Sequence, residues 1–196
     1  MEFDVELTLP VGVAREIVRL VEEDGPKFKR RRFTEQDLAK RSSAEIQSWS
    51  ARRLCVLDAS DSGLGSTVAE FAVECFAKLG LSWSQERVFG NFIGVQYPGA
   101  WVQAHTDPVS DLGWWHLRLN FLVQKPDAGG EVRLGDFVIE PEEGAWWLNF
   151  ASSRVHACSP VLGDRARVIL SLGTYVEPEV GARLLRDYES VLSGSM

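Results

Sequence analysis

The chain has 196 residues, which is the usual length of a single domain. Hydrophobic residues make up 45 % of it and charged residues 25 %, an ordinary composition for a globular protein with a buried core. The formal net charge of −7 argues against a nucleic acid or an anionic membrane as the main partner, so we expect neither.

The three cysteines, Cys55, Cys75 and Cys158, are far apart and odd in number, and they form no CxxC motif. This pattern predicts a reducing compartment and no disulfide framework. The N-terminal stretch MEFDVELTLPVG lacks the long apolar segment of a signal peptide, and no apolar run approaches the roughly 20 residues that span a bilayer. We therefore expect a cytoplasmic protein.

Residues 1–85 predict a mainly helical support region. It opens with FDVELTL, which alternates in the manner of a strand. Helical spacing of apolar residues follows over 13–21, and we expect further helices over 35–49 and 67–79, with a short strand at 53–58 between them. The basic run from Lys27 to Arg32 could bind an acidic substrate or peptide, or simply form a solvated face.

Residues 86–176 have a different character. Eight short runs rich in β-branched and aromatic residues are separated by Gly, Pro, Asp and Asn, which predicts an antiparallel sandwich or barrel. A closing helix is expected within 177–196. No repeat or linker divides the chain, so we expect 1–196 to form one α+β domain with helices on one face of the β core.

The three histidines of the chain suggest a metal site. His105 and Asp107 are two residues apart, a spacing that places two side chains on the same face of a strand. His156 lies 49 residues after Asp107 (156 − 107), in another predicted strand that a jelly roll can bring alongside. Two imidazoles and one carboxylate on one side of a metal form the facial triad of non-haem Fe(II) oxygenases. The alternative is a turn before Pro108 in which Asp107 only binds the backbone.

Longer motifs around these residues resemble a known superfamily. VQYPGAWVQAHTD is similar to the segment around the first metal ligands of the Fe(II)/2-oxoglutarate dioxygenases, notably the prolyl-4-hydroxylase-like group. HLRLNFLV and RVILSLG resemble the aspartyl/asparaginyl β-hydroxylase branch of that superfamily. The segment from Gly129 to Arg165 is similar to the second half of the prolyl-hydroxylase pattern, with these landmarks: Gly129-Gly130-Glu131, Pro141 with Gly144, Phe150, His156, Pro160, Gly163 and Arg165.

This resemblance covers roughly residues 88–176. It implies a double-stranded β-helix (jelly roll) as the core of the fold. It also implies that His105, Asp107 and His156 are ligands of Fe(II).

The resemblance further implies 2-oxoglutarate as co-substrate, bound at its far carboxylate by a basic residue nine to eleven positions after the second histidine. Arg165 is nine positions after His156 and Arg167 is eleven, and we expect both on one strand face. Either guanidinium could take a carboxylate through two hydrogen bonds. Arg165 fits the prolyl-hydroxylase pattern and is slightly preferred, whereas Arg167 fits the aspartyl-hydroxylase pattern.

Three more residues are candidates for contact with the co-substrate. Tyr97 matches the family tyrosine before the HxD motif, or is a core aromatic residue. His116 resembles a histidine of the aspartyl-hydroxylase branch, or is a buried imidazole with a structural role. Asn120, four residues later on the same strand face, could line the pocket. The chain departs from the prolyl-hydroxylase pattern at one position. The tyrosine often found there on the strand before Gly129-Gly130-Glu131 is replaced by Leu122 or Val123.

The implied activity is a dioxygenase reaction that consumes O2 and 2-oxoglutarate and releases succinate and CO2. The two branches favour hydroxylation of an amino-acid or peptidyl side chain, and a small-molecule tailoring oxygenase of secondary metabolism is the alternative. A cupin-like metal-dependent isomerase or epimerase would use similar residues without 2-oxoglutarate. A binding module that lost catalysis is a further alternative.

Overall fold

The structure is a computed structural model that describes residues 5–23, 28, 42–60, 63–84 and 90–194. The predicted basic run lies outside the described residues except for Phe28, and so does the start of the helix expected over 35–49. Within the described ranges, no helix combines the length and the apolar character needed to cross a bilayer.

Four helices are described, and each lies at or near a predicted helical segment. Pro10 precedes the first, whose Val13 and Ile17 are buried at helical spacing. Gly80, with a positive φ of 71°, follows the third and ends it, since glycine adopts this conformation without steric cost. The helices are α1 Val11–Glu22, α2 Ser43–Ser50, α3 Leu64–Lys78 and α4 Pro178–Gly194.

The strand expected at the N-terminus is wrong for the residues that the structure describes. Residues 5–10 are extended but belong to no strand. Leu7 and Leu9 are nevertheless buried in the hydrophobic core. The alternation therefore marks the burial of every second side chain, which does not require a hydrogen-bonded partner strand.

The described strands form three sheets, and every strand pair is antiparallel. The main sheet has the order β1-β2-β11-β4-β8, the second sheet β3-β9-β6-β7, and a small sheet β10-β5. The chain therefore has a mixed α/β fold. The strands are β1 Arg52–Leu57, β2 Asn91–Gln96, β3 Val102–His105, β4 Trp115–Gln124, β5 Ala128–Gly129, β6 Val132–Leu134, β7 Phe137–Ile139, β8 Trp146–Asn149, β9 His156–Cys158, β10 Val161–Leu162 and β11 Arg167–Val176.

The two faces of the main sheet differ in polarity. On β4, Leu117, Leu119 and Phe121 are fully buried, and the ring of Phe121 lies 5.3 Å from that of Phe71 on α3. Residues between them point to the other face because side chains alternate along a strand. Those residues include the buried Arg118 and Asn120. One face thus forms the apolar core with the helices, and the other carries polar side chains.

The polar face of the main sheet meets the second sheet. Gln96 of β2 and Arg167 of β11 are direct Cα partners, and the Gln96 side chain contacts Cys158 of β9. Trp147 of β8 lies over the Arg167 guanidinium. We call this space the inter-sheet interior and define it by five residues: Gln96, Asn120, Trp147, Cys158 and Arg167.

Candidate metal centre

His105, Asp107 and His156 meet at one point at the end of β3 and the start of β9. One ligand atom from each lies within 4.8 Å of the others. His105 and His156 are direct Cα partners across the two strands. Asp107 lies beyond the end of β3, and its backbone N–H donates to the Ala151 carbonyl over 2.7 Å. That bond holds the HxD segment against the loop before His156.

Backbone carbonyls orient both imidazoles. His105 Nδ1 lies 2.7 Å from the carbonyl oxygen of Gln103, and His156 Nδ1 lies 3.4 Å from that of Arg154. In metal sites the nitrogen that does not bind the metal commonly donates to a carbonyl in this way. Each Nε2 is therefore left for a shared cation.

The electrostatics of the cluster suit a cation. Burial lowers the pKa of His156, and the neighbouring His105 adds to the shift. Burial alone would raise the pKa of Asp107, but a hydrogen bond from His105 and nearby positive charges outweigh it, so this pKa lies below its ordinary value. The hydrogen bond to Asp107 raises the pKa of His105. A negative carboxylate and a neutral His156 are ligand states that a divalent metal requires, and metal binding would release the proton that the raised pKa favours on His105.

These three residues fit a divalent transition metal. Two imidazoles and one carboxylate match the donor set that leaves several coordination positions open for other ligands. The His105 side chain is 45 % exposed and that of Asp107 is 21 % exposed, so one side of the cluster faces solvent. His156 is less exposed than His105 and lies on the same face of β9 as Cys158 of the inter-sheet interior.

The structure separates the two candidate arginines. Arg165 lies before β11, so the expectation that it shares a strand face with Arg167 is wrong. Its backbone N–H donates to Asp127, and its exposed side chain pairs with Glu143 over 2.9 Å. Arg167 begins β11 and is only 3 % exposed, inside the inter-sheet interior.

Arg167 is a buried cation held by neutral groups. Its Nη1 donates to Gln96 Oε1 over 2.6 Å, and its guanidinium lies 5.4 Å from the Trp147 ring centre. No carboxylate among the described residues forms an ion pair with it. Burial lowers the pKa of Arg167, but an arginine keeps its proton in proteins. A buried charge of this kind requires a compensating partner.

Gly130 leaves the space that the Arg167 side chain occupies. A Cβ on Gly130 would lie 3.0 Å from Arg167 Cδ and 3.1 Å from Pro126 Cγ. Gly130 also has a φ of 76°, which disfavours any other residue. The GGE landmark of the sequence thus has a packing role beside the arginine.

The other candidates lie at three different places. Asn120 is buried on the polar face of β4, and its side chain forms no hydrogen bond with any described residue. His116 is 2 % exposed, and its ring lies edge-on to that of Tyr175 at 4.8 Å. Tyr97 follows β2 and is half-buried, with the Arg53 guanidinium 5.4 Å from its ring centre.

Sequence reasoning missed two polar residues of the interior. Arg118 is 5 % exposed, donates to the Gly90 carbonyl, and contributes its positive charge to the low pKa of Asp107. Gln96 is 6 % exposed and binds Arg167. Each stands next to buried apolar residues in its strand, and a polar residue in such a position is the signal that could have found them.

Comparisons with known proteins bear on the fold. No protein-family model matches the chain, and neither does any curated protein. Solved structures do match. A prolyl-4-hydroxylase from Pseudomonas putida is 16 % identical with a TM-score of 0.56, covering 87 % of this chain and 89 % of that one.

Two further structures are equally similar. One is a prolyl hydroxylase from Trichoplax adhaerens in complex with a peptide fragment of the hypoxia inducible factor oxygen degradation domain. It is 15 % identical to this chain with a TM-score of 0.57, and the match covers 90 % of this chain and 83 % of that one. A viral collagen prolyl hydroxylase from Paramecium Bursaria Chlorella virus-1, in a 2OG complex, is 12 % identical with a TM-score of 0.57, and covers 86 % of this chain and 92 % of that one. The chain therefore has the fold of these prolyl hydroxylase structures.

Proposed function

We propose that the chain is an Fe(II)- and 2-oxoglutarate-dependent dioxygenase built on a single jelly-roll domain spanning residues 1–196. One observation carries the proposal. The His105, Asp107 and His156 cluster lies beside an interior that holds a buried arginine with no acidic partner among the described residues. A facial metal triad and a buried guanidinium are the two groups that a keto acid with a distal carboxylate requires.

Side-chain contacts connect the strand that carries His156 to Arg167. His156 and Cys158 are two positions apart on β9, which corresponds to about 6.6 Å along a strand. Gln96 Oε1 lies 3.6 Å from Cys158 Sγ and 2.6 Å from Arg167 Nη1. In the proposed complex, 2-oxoglutarate binds the metal at one end and Arg167 at the other.

The residues divide the work between them. His105, Asp107 and His156 would hold Fe(II), which activates dioxygen and supports the oxidative decarboxylation of 2-oxoglutarate to succinate and CO2. Arg167 would fix the distal carboxylate in place of the slightly preferred Arg165, because Arg165 is exposed and paired with Glu143. Arg118, whose charge acts on both Asp107 and His156, would favour the negative end of the keto acid near the metal.

The remaining candidates would have smaller roles. Asn120 would line the co-substrate pocket, since it shares the polar face of β4 and is a Cα partner of Trp147. His116 would support the far end of the same strand face. Tyr97 would contact the co-substrate or the substrate, as the family tyrosine before HxD does. None of these three would bind the metal.

We propose an amino-acid or peptidyl side chain as the substrate, with hydroxylation as the outcome. The exposure of the His105 side chain supports this, because a side chain presented by a peptide could reach the metal from solvent. The Trichoplax relative in the fold comparison holds a peptide fragment. We also propose a cytoplasmic location, in line with three buried cysteines that form no disulfide.

The test begins without oxygen. Fe(II) and 2-oxoglutarate added to the full chain should produce a weak visible charge-transfer band, and admission of oxygen should produce succinate. Asp107→Ala with His156→Ala should abolish both signals. If wild type gives neither signal, the dioxygenase assignment is wrong. A metal-dependent isomerase would need neither oxygen nor 2-oxoglutarate, so the same assay separates it from this proposal.

A further inference from the structure

Gln96 carries a buried donor that no described residue satisfies. Its amide oxygen accepts from Arg167 Nη1 at 2.6 Å and from the Cys158 thiol at 3.6 Å. Its amide nitrogen, Nε2, is fully buried and has no hydrogen-bond partner. Buried donors are nearly always satisfied in folded proteins, so an exception requires an explanation.

The orientation of this amide is fixed by its neighbours. A guanidinium has only donors, so the atom that faces Arg167 must be the amide oxygen and cannot be the nitrogen. An amide flip would place two donors 2.6 Å apart. Nε2 must therefore point away from Arg167 Nη1 and toward an acceptor that the described chain does not supply.

The missing acceptor has a recognisable chemistry. Arg167 is 3 % exposed and uses one of its five donors on Gln96, while no acidic side chain of the described chain neutralises it. A donor beside an uncompensated cation is suited to an anionic oxygen. A carboxylate could accept from Nε2 through one oxygen and from the guanidinium through the other.

The choice of glutamine over glutamate supports this interpretation. A glutamate at position 96 would form a buried ion pair with Arg167 and cancel the charge that attracts a ligand. Glutamine instead holds the guanidinium through Oε1, leaves its charge uncancelled, and offers Nε2 as a second donor. The residue thus both positions Arg167 and presents a hydrogen bond of its own.

We propose that Gln96 and Arg167 together form the binding site for the distal carboxylate of the co-substrate. The proposal rests on the function proposed above and deepens it. Prolyl-hydroxylase-like sequences often carry a tyrosine on the strand that is β4 here, where this chain has Leu122 or Val123. In this chain the second donor comes from β2 instead.

The test measures binding directly rather than turnover. The full chain, loaded with Mn(II) under anaerobic conditions, is titrated calorimetrically with 2-oxoglutarate and with 2-oxopentanoate, which has the same chain length but no distal carboxylate. Gln96→Leu should weaken 2-oxoglutarate binding about 10- to 100-fold, the range for a lost hydrogen bond to a charged group. It should change 2-oxopentanoate binding by less than about 2-fold, within the scatter expected for substitutions that do not touch the ligand.

Gln96→Glu provides a second variant of nearly the same shape. It should weaken 2-oxoglutarate binding more than Gln96→Leu does, because it neutralises Arg167 and repels the ligand. If Gln96→Leu does not fold, Gln96→Glu alone tests the proposal. Gln47→Glu makes the same change on the exposed side of α2 and should bind like wild type. Mn(II) affinity should be the same in all four proteins.

Each outcome has a separate meaning. If wild type does not bind 2-oxoglutarate, the proposed function fails and this proposal fails with it. If wild type binds and both Gln96 variants bind equally well, only the role of Gln96 is overturned. An equal loss of 2-oxoglutarate and 2-oxopentanoate binding would also overturn it, since that result assigns Gln96 a general structural role.

Discussion

The imidazole rings of His105 and His156 lie 4.2 Å apart, centre to centre, because their Cα atoms are direct partners across β3 and β9. Burial lowers the pKa of His156, and the neighbouring His105 lowers it further, because two imidazoles this close disfavour protonation of both. Asp107 completes the cluster, with Oδ1 3.4 Å from His105 Nε2. A divalent cation would replace the proton that links His105 to Asp107.

The first prediction concerns metal binding. Mn(II) at 100 times its dissociation constant should stabilise the wild-type fold by about 2.7 kcal/mol, because the metal binds only the folded chain. Asp107→Ala should lose this gain, since it removes the only carboxylate of the cluster. The free energy of unfolding, measured with and without Mn(II), gives both the gain in wild type and its loss in Asp107→Ala. Asp111→Ala, an exposed acid close by in sequence, should keep the full gain; equal behaviour of the two variants would contradict the site.

The second prediction separates the two arginines. Arg167→Met should abolish 2-oxoglutarate binding at concentrations that saturate wild type, whereas Arg165→Met should bind normally. Stability should change by less than about 1 kcal/mol for Arg165→Met, because exposed ion pairs contribute little. For Arg167→Met the lost bond to Gln96 is offset by removal of a buried charge. Calorimetric titration measures 2-oxoglutarate binding, and denaturant unfolding measures stability. If Arg165→Met loses binding and Arg167→Met keeps it, Arg165 is the residue that binds the co-substrate.

These arginines show how far the sequence reaches. The family resemblance predicts that Arg165 or Arg167 binds the co-substrate, but the choice between them depends on where β11 begins. Asp127 accepts hydrogen bonds from the backbone of Asp164 and Arg165, which keeps Arg165 in the turn before the strand. That contact joins segments 38 residues apart, and no local pattern predicts it.

Helix positions and the antiparallel β-rich core followed from periodicity, because apolar spacing is local. The Leu7 and Leu9 segment was wrongly expected to be a strand, since alternation reports burial without identifying a partner. Gln96 was missed for a related reason. Its significance arises from Arg167 and Cys158, which are distant in sequence and meet it only in the folded chain.

The third prediction tests the space beside Arg167. Gly130→Ala should destabilise the fold and weaken 2-oxoglutarate binding, because the added Cβ would press on Arg167 Cδ and Pro126 Cγ. Gly144→Ala is the matched control, since Gly144 has a similar φ of 84° with nothing within 4 Å of the added Cβ. Both variants should lose about 1–2 kcal/mol from the left-handed backbone conformation. Only Gly130→Ala should lose stability beyond this shared cost, and only Gly130→Ala should lose affinity for 2-oxoglutarate in a calorimetric titration.

The fourth prediction links the C-terminal helix to the metal centre. Arg154 donates to Glu189 of α4 through Nε at 2.8 Å and Nη2 at 3.3 Å, while its carbonyl oxygen faces His156 Nδ1. Glu189→Gln should therefore loosen the loop that orients His156. We expect Mn(II) affinity to fall by up to about 10-fold, the lower end of the range for losing an outer-shell partner. Stability should fall by less than about 1 kcal/mol, because the pair is partly exposed.

Glu142→Gln is the control for this prediction. It breaks a similar ion pair, with Lys125, on a part of the surface that does not contact His156. Its Mn(II) affinity should equal that of wild type. A Glu189→Gln protein with unchanged Mn(II) affinity would show that α4 does not support the metal ligand.

The last prediction concerns Tyr188, which closes the open edge of β8. Its hydroxyl accepts a hydrogen bond from the Leu148 backbone N–H over 3.2 Å, and burial raises the pKa of Tyr188 to about 12. Tyr188→Phe should lose about 1–3 kcal/mol at neutral pH, because the Leu148 N–H is left buried without an acceptor.

The pH dependence of this loss follows from the raised pKa. An unfolded tyrosine titrates near pH 10, so the neutral side chain contributes its full stability below that pH and loses it as the pH rises through about 12. At pH 11 wild type should therefore have lost about 1.4 kcal/mol that the phenylalanine variant cannot lose. Denaturant unfolding of both proteins at pH 7 and pH 11 should show the difference between them shrinking by that amount. A difference that stays constant between the two pH values would mean that Tyr188 is not desolvated against β8.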